Sequence, residues 1–176
     1  MSQSEDYLDS LLNADTNNML SPVGEFHLWG EPLYGYYNMR DPWVVARHME
    51  LFIQSGVDYI CIDTTNSIVY KDSITNILET LLKFHNQGFD VPKVMFYTNT
   101  KSGTTVEILY NTFYLNSKYN SLWMRLDGNK PSIAGTTIYN GGSSDMVYDA
   151  SYAEQGLLYY IADKYMNFFD VKESQW

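Results

Sequence analysis

The sequence predicts an α/β fold in which parallel strands alternate with helices. Three observations predict it. Short apolar, β-branched runs such as "VDYICID" and "KVMFYTN" read as buried strands. Stretches of helical period lie between them, each opened by an aspartate and closed by a glycine. The punctuation also repeats: "FIQSGVD" echoes "FHNQGFD", with Gly56 and Gly88, and Asp58 and Asp90, each thirty-two residues apart. One strand, one helix and two short loops fill a span of that size.

In chain order, residues 1–22 show no sustained period and read as an extended lead-in to a domain over 23–176. "EFHLW" reads as a short strand, followed by the ring-rich, glycine-broken "GEPLYGYY". In "DPWVVARHMELFIQSG", Asp41 is the expected N-cap, Pro42 the first helical residue and Gly56 the stop, with Val45, Met49 and Phe52 on one face. Val57 to Asp63 is expected as a strand buried on both faces, which makes Cys61 a small buried hydrophobe. "DSITNILETLLKFHNQG" is the clearest amphipathic helix, with Asp72 as N-cap and Ile74, Ile77, Leu78, Leu81, Leu82 and His85 on its inner face.

A third helix fits "GTTVEILYNTFYLNSKY". "SLWMRLDGNKPSIAG" reads as strand, turn, strand about Asp127-Gly128, and Asp127 is a turn residue. "TTIYNGGSSDMVYD" is a glycine-serine loop, a last helix spans about Tyr152 to Phe169, and "VKESQW" begins another strand. Such alternation leaves two architectures, an open doubly wound sheet and a (β/α)8 barrel. A complete barrel takes about 250 residues, so the 176 here cover the first half to five-eighths of one. No glycine-rich nucleotide fingerprint occurs.

Composition narrows the function. Net charge is -10, which repels phosphate backbones and disfavours a nucleic-acid partner. No apolar run is long enough to span a membrane. The acidic, polar start "MSQSEDYLDSLLNAD" does not read as a signal peptide, which suits a cytoplasmic protein or an excised piece of an exported one. A single cysteine and three dispersed histidines, with His48 and His85 inside helices, make no metal site. Aromatic content is 16%, with 16 tyrosines. Rings with a polar tip suit half-wet surfaces where sugars bind, although they equally cover a core.

In either architecture ligands sit at the C-terminal ends of the strands. That places His27, Trp29, Glu31, Tyr36 and Tyr37 after the first strand, Asp63 and Asn66 after the second, Tyr97 and Asn99 after the third, and Trp123 near the fourth. Rings, amides, hydroxyls and carboxylates without phosphate-like or metal-like ligands suit a neutral polyhydroxylated partner, a carbohydrate. Asp63 and Glu31 are the catalytic candidates; Asp63 alternatively caps its own loop. Trp123 is either a stacking platform or a core ring. A half-barrel exposes two sheet edges, which invite a homodimer.

"FHLWGEPLYGYYNMRDPWVVARHMELFIQSGVDYICIDTTN" resembles the glycoside hydrolase family 71 and family 99-like proteins, the group that includes the endo-α-mannosidases. "PKVMFYTNT", "LWMRLDGNKPSIAG" and the "FFDVKESQW" tail resemble the Bacteroidetes-type branch of that group. The resemblance is carried by about residues 25 to 135. It implies a (β/α)8 barrel, export to the periplasm or cell surface, and glycan processing by paired carboxylates without an organic cofactor. It also exposes a departure. The family carries its catalytic glutamates in a motif like His-Ile-Glu-Pro-Tyr, whereas "MFYTNT" offers Tyr97 and Asn99 and no glutamate there. A non-catalytic glycan-binding domain is therefore the alternative to a hydrolase.

Overall fold

The computed structural model describes residues 17, 32–99, 101–135 and 161–173. The expected lead-in, the "EFHLW" strand and the "TTIYNGGSSDMVYD" loop lie outside the described residues, apart from Asn17. The chain divides into two compact units, Met1–Asn38 and Met39–Trp176. In the first, the described part is a turn closed by the Gly35 amide donating to Pro32 O (2.9 Å), with Gly35 at φ 71°.

Among its described residues the second unit is α/β with a four-stranded parallel sheet in the order β1-β2-β3-β4. Its elements are α1 (Pro42–Gln54), β1 (Tyr59–Asp63), α2 (Lys71–Asn86), β2 (Lys93–Tyr97), α3 (Ser102–Leu109), β3 (Ser132–Gly135), α4 (Asp163–Phe168) and β4 (Asp170–Glu173). A π-helical turn (Tyr110–Tyr114) and a 3-10 helix (Ser117–Leu122) follow α3. Strands lie in the sheet in the order in which they occur in the chain. Every crossover therefore steps the same way, and right-handed crossovers that step one way put their helices on one face.

The helix punctuation follows from the sequence. Asp41 caps α1 by accepting from the Trp43 amide (2.9 Å), and Pro42 occupies the first turn. α1 and α2 end in the same motif. The Val57 amide reaches Phe52 O and the Phe89 amide reaches Phe84 O, while Gly56 (φ 68°) and Gly88 (φ 90°) supply the left-handed residue. The thirty-two-residue echo is thus a repeated helix stop. Asp72 is not the N-cap: α2 starts at Lys71, and Asp72 sits in its first turn, where a carboxylate still faces the positive helix end.

The helix-facing side of the sheet carries Ile60, Ile62, Val94, Phe96 and Ile133, which join Val45, Met49, Ile74, Leu78, Leu81, Val106 and Leu109 in one core. Burying each such side chain contributes about 1.5–3 kcal/mol. Phe52, expected on the inner face of α1, is 37% exposed, whereas Val44 is buried. Much of the aromatic content goes inside. Tyr114 stacks on Trp123 at 4.1 Å, Phe96 stacks on Phe113 at 6.1 Å, and Phe169 meets Tyr114 edge-on at 4.7 Å.

Three expectations are corrected. First, the predicted helix "GTTVEILYNTFYLNSKY" is broken into α3, the π-turn and the 3-10 helix. The Leu115 amide bonds five residues back, to Tyr110 O (3.1 Å), and the extra residue lets adjacent Phe113 and Tyr114 both point inward. Second, "SLWMRLDGNKPSIAG" is not a hairpin. Trp123 pairs with Val94, and Ala134 with Tyr97, both parallel, so the two pieces run in succession along β2. Gly128 (φ 89°) turns the intervening loop outward, and the Arg125 guanidinium holds it through Asn129 O and Asn120 Oδ1. Third, β1 is buried on one face only: Tyr59, Cys61 and Asp63 are exposed, so Cys61 is not a buried hydrophobe. The final helix is described only over Asp163–Phe168, and "VKESQW" does begin a strand, β4.

A second repeat fastens the helical layer. Lys118 and Tyr119 both reach Glu79 on α2; Lys164 and Tyr165 both reach Glu107 on α3, at 3.4 and 3.0 Å. Each lysine also covers its neighbour's ring, at 4.9 and 4.5 Å. In both copies the Lys-Tyr pair precedes two inward apolar residues, Leu122-Trp123 and Phe168-Phe169, and then a stretch paired into the sheet.

Candidate functional site at the C-terminal end of the sheet

Alternation along the strands puts Asp63, Tyr97 and Ala134 on the sheet face opposite the helices. Asp63 and Tyr97 are register partners on adjacent strands. Neighbouring strands lie about 4.8 Å apart, so these two side chains stand side by side at the strand ends. Asp63 is exposed and Tyr97 half-buried.

Two buried threonines hold this end in shape. The Thr64 amide and hydroxyl both donate to Tyr97 O, at 2.8 and 3.0 Å. One strand further on, the Thr98 amide and hydroxyl both donate to Ala134 O, each at 2.8 Å. The Thr98 hydroxyl also lies 3.0 Å from Ser102 Oγ, which donates to Asn99 O at 2.8 Å. These side chains supply the bonds that the ladder would otherwise lose where strand turns into loop. They also fix the positions of Asp63 and Asn99 beside them. Neither threonine stands out as a site residue from its sequence. The parallel between "IDTTN" and "FYTNT", a threonine directly after each strand, is the signal that identifies them.

Asp63 caps its own loop, because its Oδ1 accepts from the Thr65 amide at 2.8 Å. This bond holds the carboxyl below its ordinary pKa, so it is ionised at neutral pH. Capping and exposure coexist, since a carboxylate has further lone pairs to offer. Next to it on the same face, partial burial and then the Asp63 charge push the Cys61 thiol above its usual pKa, the opposite of an activated nucleophile. Asn66 Oδ1 accepts from the Ile68 amide (3.1 Å), which leaves its amide nitrogen at the exposed loop.

The fold brings together Asp63, Asn66, Tyr97 and Asn99 at one end of the sheet. Trp123 goes elsewhere: it is 3% exposed, on the helix-facing side, with a face covered by Tyr114, and so is a core ring. Tyr36 and Tyr37 belong to the first unit and are half-buried there. His27, Trp29 and Glu31 lie outside the described residues. Among the described strand residues, Asp63 is the one carboxylate on its face at this end; Asp170 shares the face but opens β4, at the opposite end. Asp127 belongs to a loop network, where the Lys172 ammonium lies 2.7 Å from it and 3.0 Å from Asp170. No group of three or more His, Cys, Asp or Glu suited to a metal occurs among the described residues. Nor is any described helix long and apolar enough to cross a membrane.

Compared with family models, curated proteins and solved structures, the chain matches none.

Proposed function

We propose that this end of the sheet binds the hydroxyl groups of a glycan, in a carbohydrate-active domain of glycoside hydrolase type. The supporting observation is an exposed, ionised Asp63 in register beside Tyr97, with the amides of Asn66 and Asn99 at the same end. A carboxylate accepts from two hydroxyls at once, amides donate and accept, and a tyrosine ring covers the apolar face of a sugar. In this reading the parallel sheet continues into a (β/α)8 barrel, with these residues at its mouth. Export to the periplasm or cell surface belongs to the same proposal, on the family resemblance alone.

The lowered pKa suits Asp63 to some roles and not others. A carboxyl that stays ionised acts as nucleophile, base or hydroxyl acceptor and does not deliver a proton. Hydrolysis then needs a second, protonated carboxyl, about 5–5.5 Å away for retention or about 6.5–9.5 Å for inversion. The second reading, binding without cleavage, is favoured by one observation: the described strands hold no other carboxylate on that face and end.

The test is a titration of gluco-, manno- and xylo-oligosaccharides into the protein and its Asp63→Asn variant, with reducing ends assayed in parallel. The substitution keeps the oxygen that accepts from Thr65 and removes the charge. Binding by the parent and at least a tenfold loss in the variant, about 1.4 kcal/mol, supports the proposal. Equal binding by both proteins, or by neither, refutes it. Release of reducing ends selects hydrolysis over binding.

A further inference from the structure

The loop between Trp123 and β3 carries Asp127-Gly128, the one Asp-Gly or Asn-Gly pair among the described residues. Leu126 to Lys130 are all exposed, and the Asp127 side chain is 69% exposed. Gly128 turns at φ 89°, and nothing lies within 4 Å of where a Cβ would stand. Its amide is lightly held, donating to Arg125 O at 3.4 Å. The carboxylate before it is held by an ammonium: Lys172 Nζ lies 2.7 Å from Asp127 Oδ2 and 3.0 Å from Asp170 Oδ1. Asp170 also accepts from the Ser132 hydroxyl at 3.0 Å, and the Ser132 oxygen accepts from the Leu126 amide at 2.8 Å. The loop is thereby tied to β4 on both sides of Asp127.

This arrangement meets the needs of one covalent reaction. A protonated aspartic carboxyl is open to attack by the amide nitrogen of the next residue. The bond from Gly128 N to Asp127 Cγ forms, the amide proton and the carboxyl OH leave as water, and a five-membered succinimide closes. Water then opens the ring at either carbonyl. One opening restores aspartate, and the other leaves the main chain running through the Asp127 side chain as isoaspartate. The water lost is regained, so no oxidant, reductant or second substrate takes part. Glycine favours the closure, because it has no Cβ to crowd the attack and its backbone rotates freely. We propose that Asp127-Gly128 is a site of spontaneous isoaspartate formation, and that Lys172 restrains it by pairing with the carboxylate. The ammonium keeps the carboxyl below its ordinary pKa, hence in the ionised, unreactive form. The other charges at this corner are Asp170, which shares the ammonium, Arg125, committed to Asn129 O and Asn120 Oδ1, and Lys130 in the loop itself. Isoaspartate adds a methylene to the main chain and moves the carboxylate, so the modified loop loses its tie to β4.

The test ages the whole protein and its Lys172→Gln and Lys172→Arg variants at neutral pH and at about pH 5, and the parent and Lys172→Gln also in urea. Digestion with a protease that cuts before aspartate, followed by mass spectrometry, counts Leu126–Asp127 bonds left uncut at unchanged mass. Unchanged mass separates isoaspartate from deamidation. The parent should accumulate the product at Asp127, faster at about pH 5, where more of the carboxyl is protonated. Lys172→Gln should speed formation at neutral pH by about two- to fivefold, the range that an exposed ion pair can give. Lys172→Arg, which keeps the charge, should stay at the parent's rate, and in urea the parent and Lys172→Gln should react alike. If Lys172→Gln does not fold, added salt must speed the reaction in the folded parent, because it screens the pair. Absence of isoaspartate at Asp127 from both folded and unfolded chains overturns the site. Equal rates in the folded parent, in folded Lys172→Gln and in urea overturn the restraint by Lys172.

Discussion

Replacing Tyr114 with phenylalanine should make the protein more stable. The ring sits in the aromatic core, 6% exposed, stacked on Trp123 at 4.1 Å and edge-on to Phe169 at 4.7 Å and Phe96 at 6.0 Å. Phenylalanine preserves all of these contacts. The hydroxyl, by contrast, is buried without a hydrogen-bond partner among the described residues. An unpaired buried hydroxyl costs about 1–3 kcal/mol in proteins. Removing it should return a large part of that, conservatively about 1 kcal/mol. With a urea m-value of about 2 kcal/mol/M, the midpoint rises by about 0.5 M at unchanged m. The melting temperature rises by about 2–4 °C for a chain of this size. Burial also holds the phenol well above its ordinary pKa. Alkaline titration of the parent should therefore show one tyrosine that ionises only on unfolding, and the variant should lack it. A midpoint lowered by 0.5 M or more, again about 1 kcal/mol, would mean that the hydroxyl has a partner, and the packing described around Trp123 would be wrong.

Three further outcomes follow from the geometry. A Cβ at Gly135 would lie 2.6 Å from both Thr98 Oγ1 and Ile161 Cδ1, so Gly135→Ala must displace the threonine from Ala134 O. A loss of about 1–3 kcal/mol in urea denaturation is expected, and a neutral substitution would contradict the buried staple. The Cys61 thiol should react slowly with iodoacetamide at neutral pH and faster as pH rises, because partial burial and the Asp63 charge both raise its pKa; Asp63→Asn should accelerate the reaction, and an unchanged rate would place the two groups apart. NMR titration of Asp63 should give a pKa below the ordinary aspartate value of about 3.9, with the Thr65 amide shift following it. The sign is that of a depressed acid: the stabilisation is present above about pH 3.9 and is lost as pH falls through the lower folded value.

The sequence makes some of this structure legible and conceals the rest for physical reasons. Asp41-Pro42, Gly56 and Gly88 are readable because capping and the left-handed helix stop depend on the residue itself and its nearest neighbours. The inner face of α2 is readable because period and burial agree over four turns. The π-turn at Tyr110–Tyr114 is hidden, because what creates it is the room around Phe96 and Trp123, which is a tertiary fact. "DG" reads as a hairpin turn, yet both flanking segments pair in parallel with β2, at Val94 and Tyr97, and meet each other through the Ser132 amide on Met124 O (2.8 Å), a tertiary pairing that local turn chemistry does not reveal. β1 is apolar enough to suggest two buried faces, but at the edge of the described sheet only Ile60 and Ile62 meet the core. At the site, Asp63, Tyr97, Asn66 and Asn99 follow from strand ends alone. The threonine staples, and the burial of Trp123, need the register.

The most direct test of the central claim is a backbone amide NMR titration with whichever oligosaccharide of the gluco-, manno- or xylo- series binds. Shifts concentrated at Thr64, Thr65, Asn66, Thr98 and Asn99, the residues that frame Asp63 and Tyr97, are the predicted result. Shifts confined to the other end of the sheet, at Tyr59, Lys93, Ser132 and Asp170, or no saturable shift with any of the sugars, would contradict it.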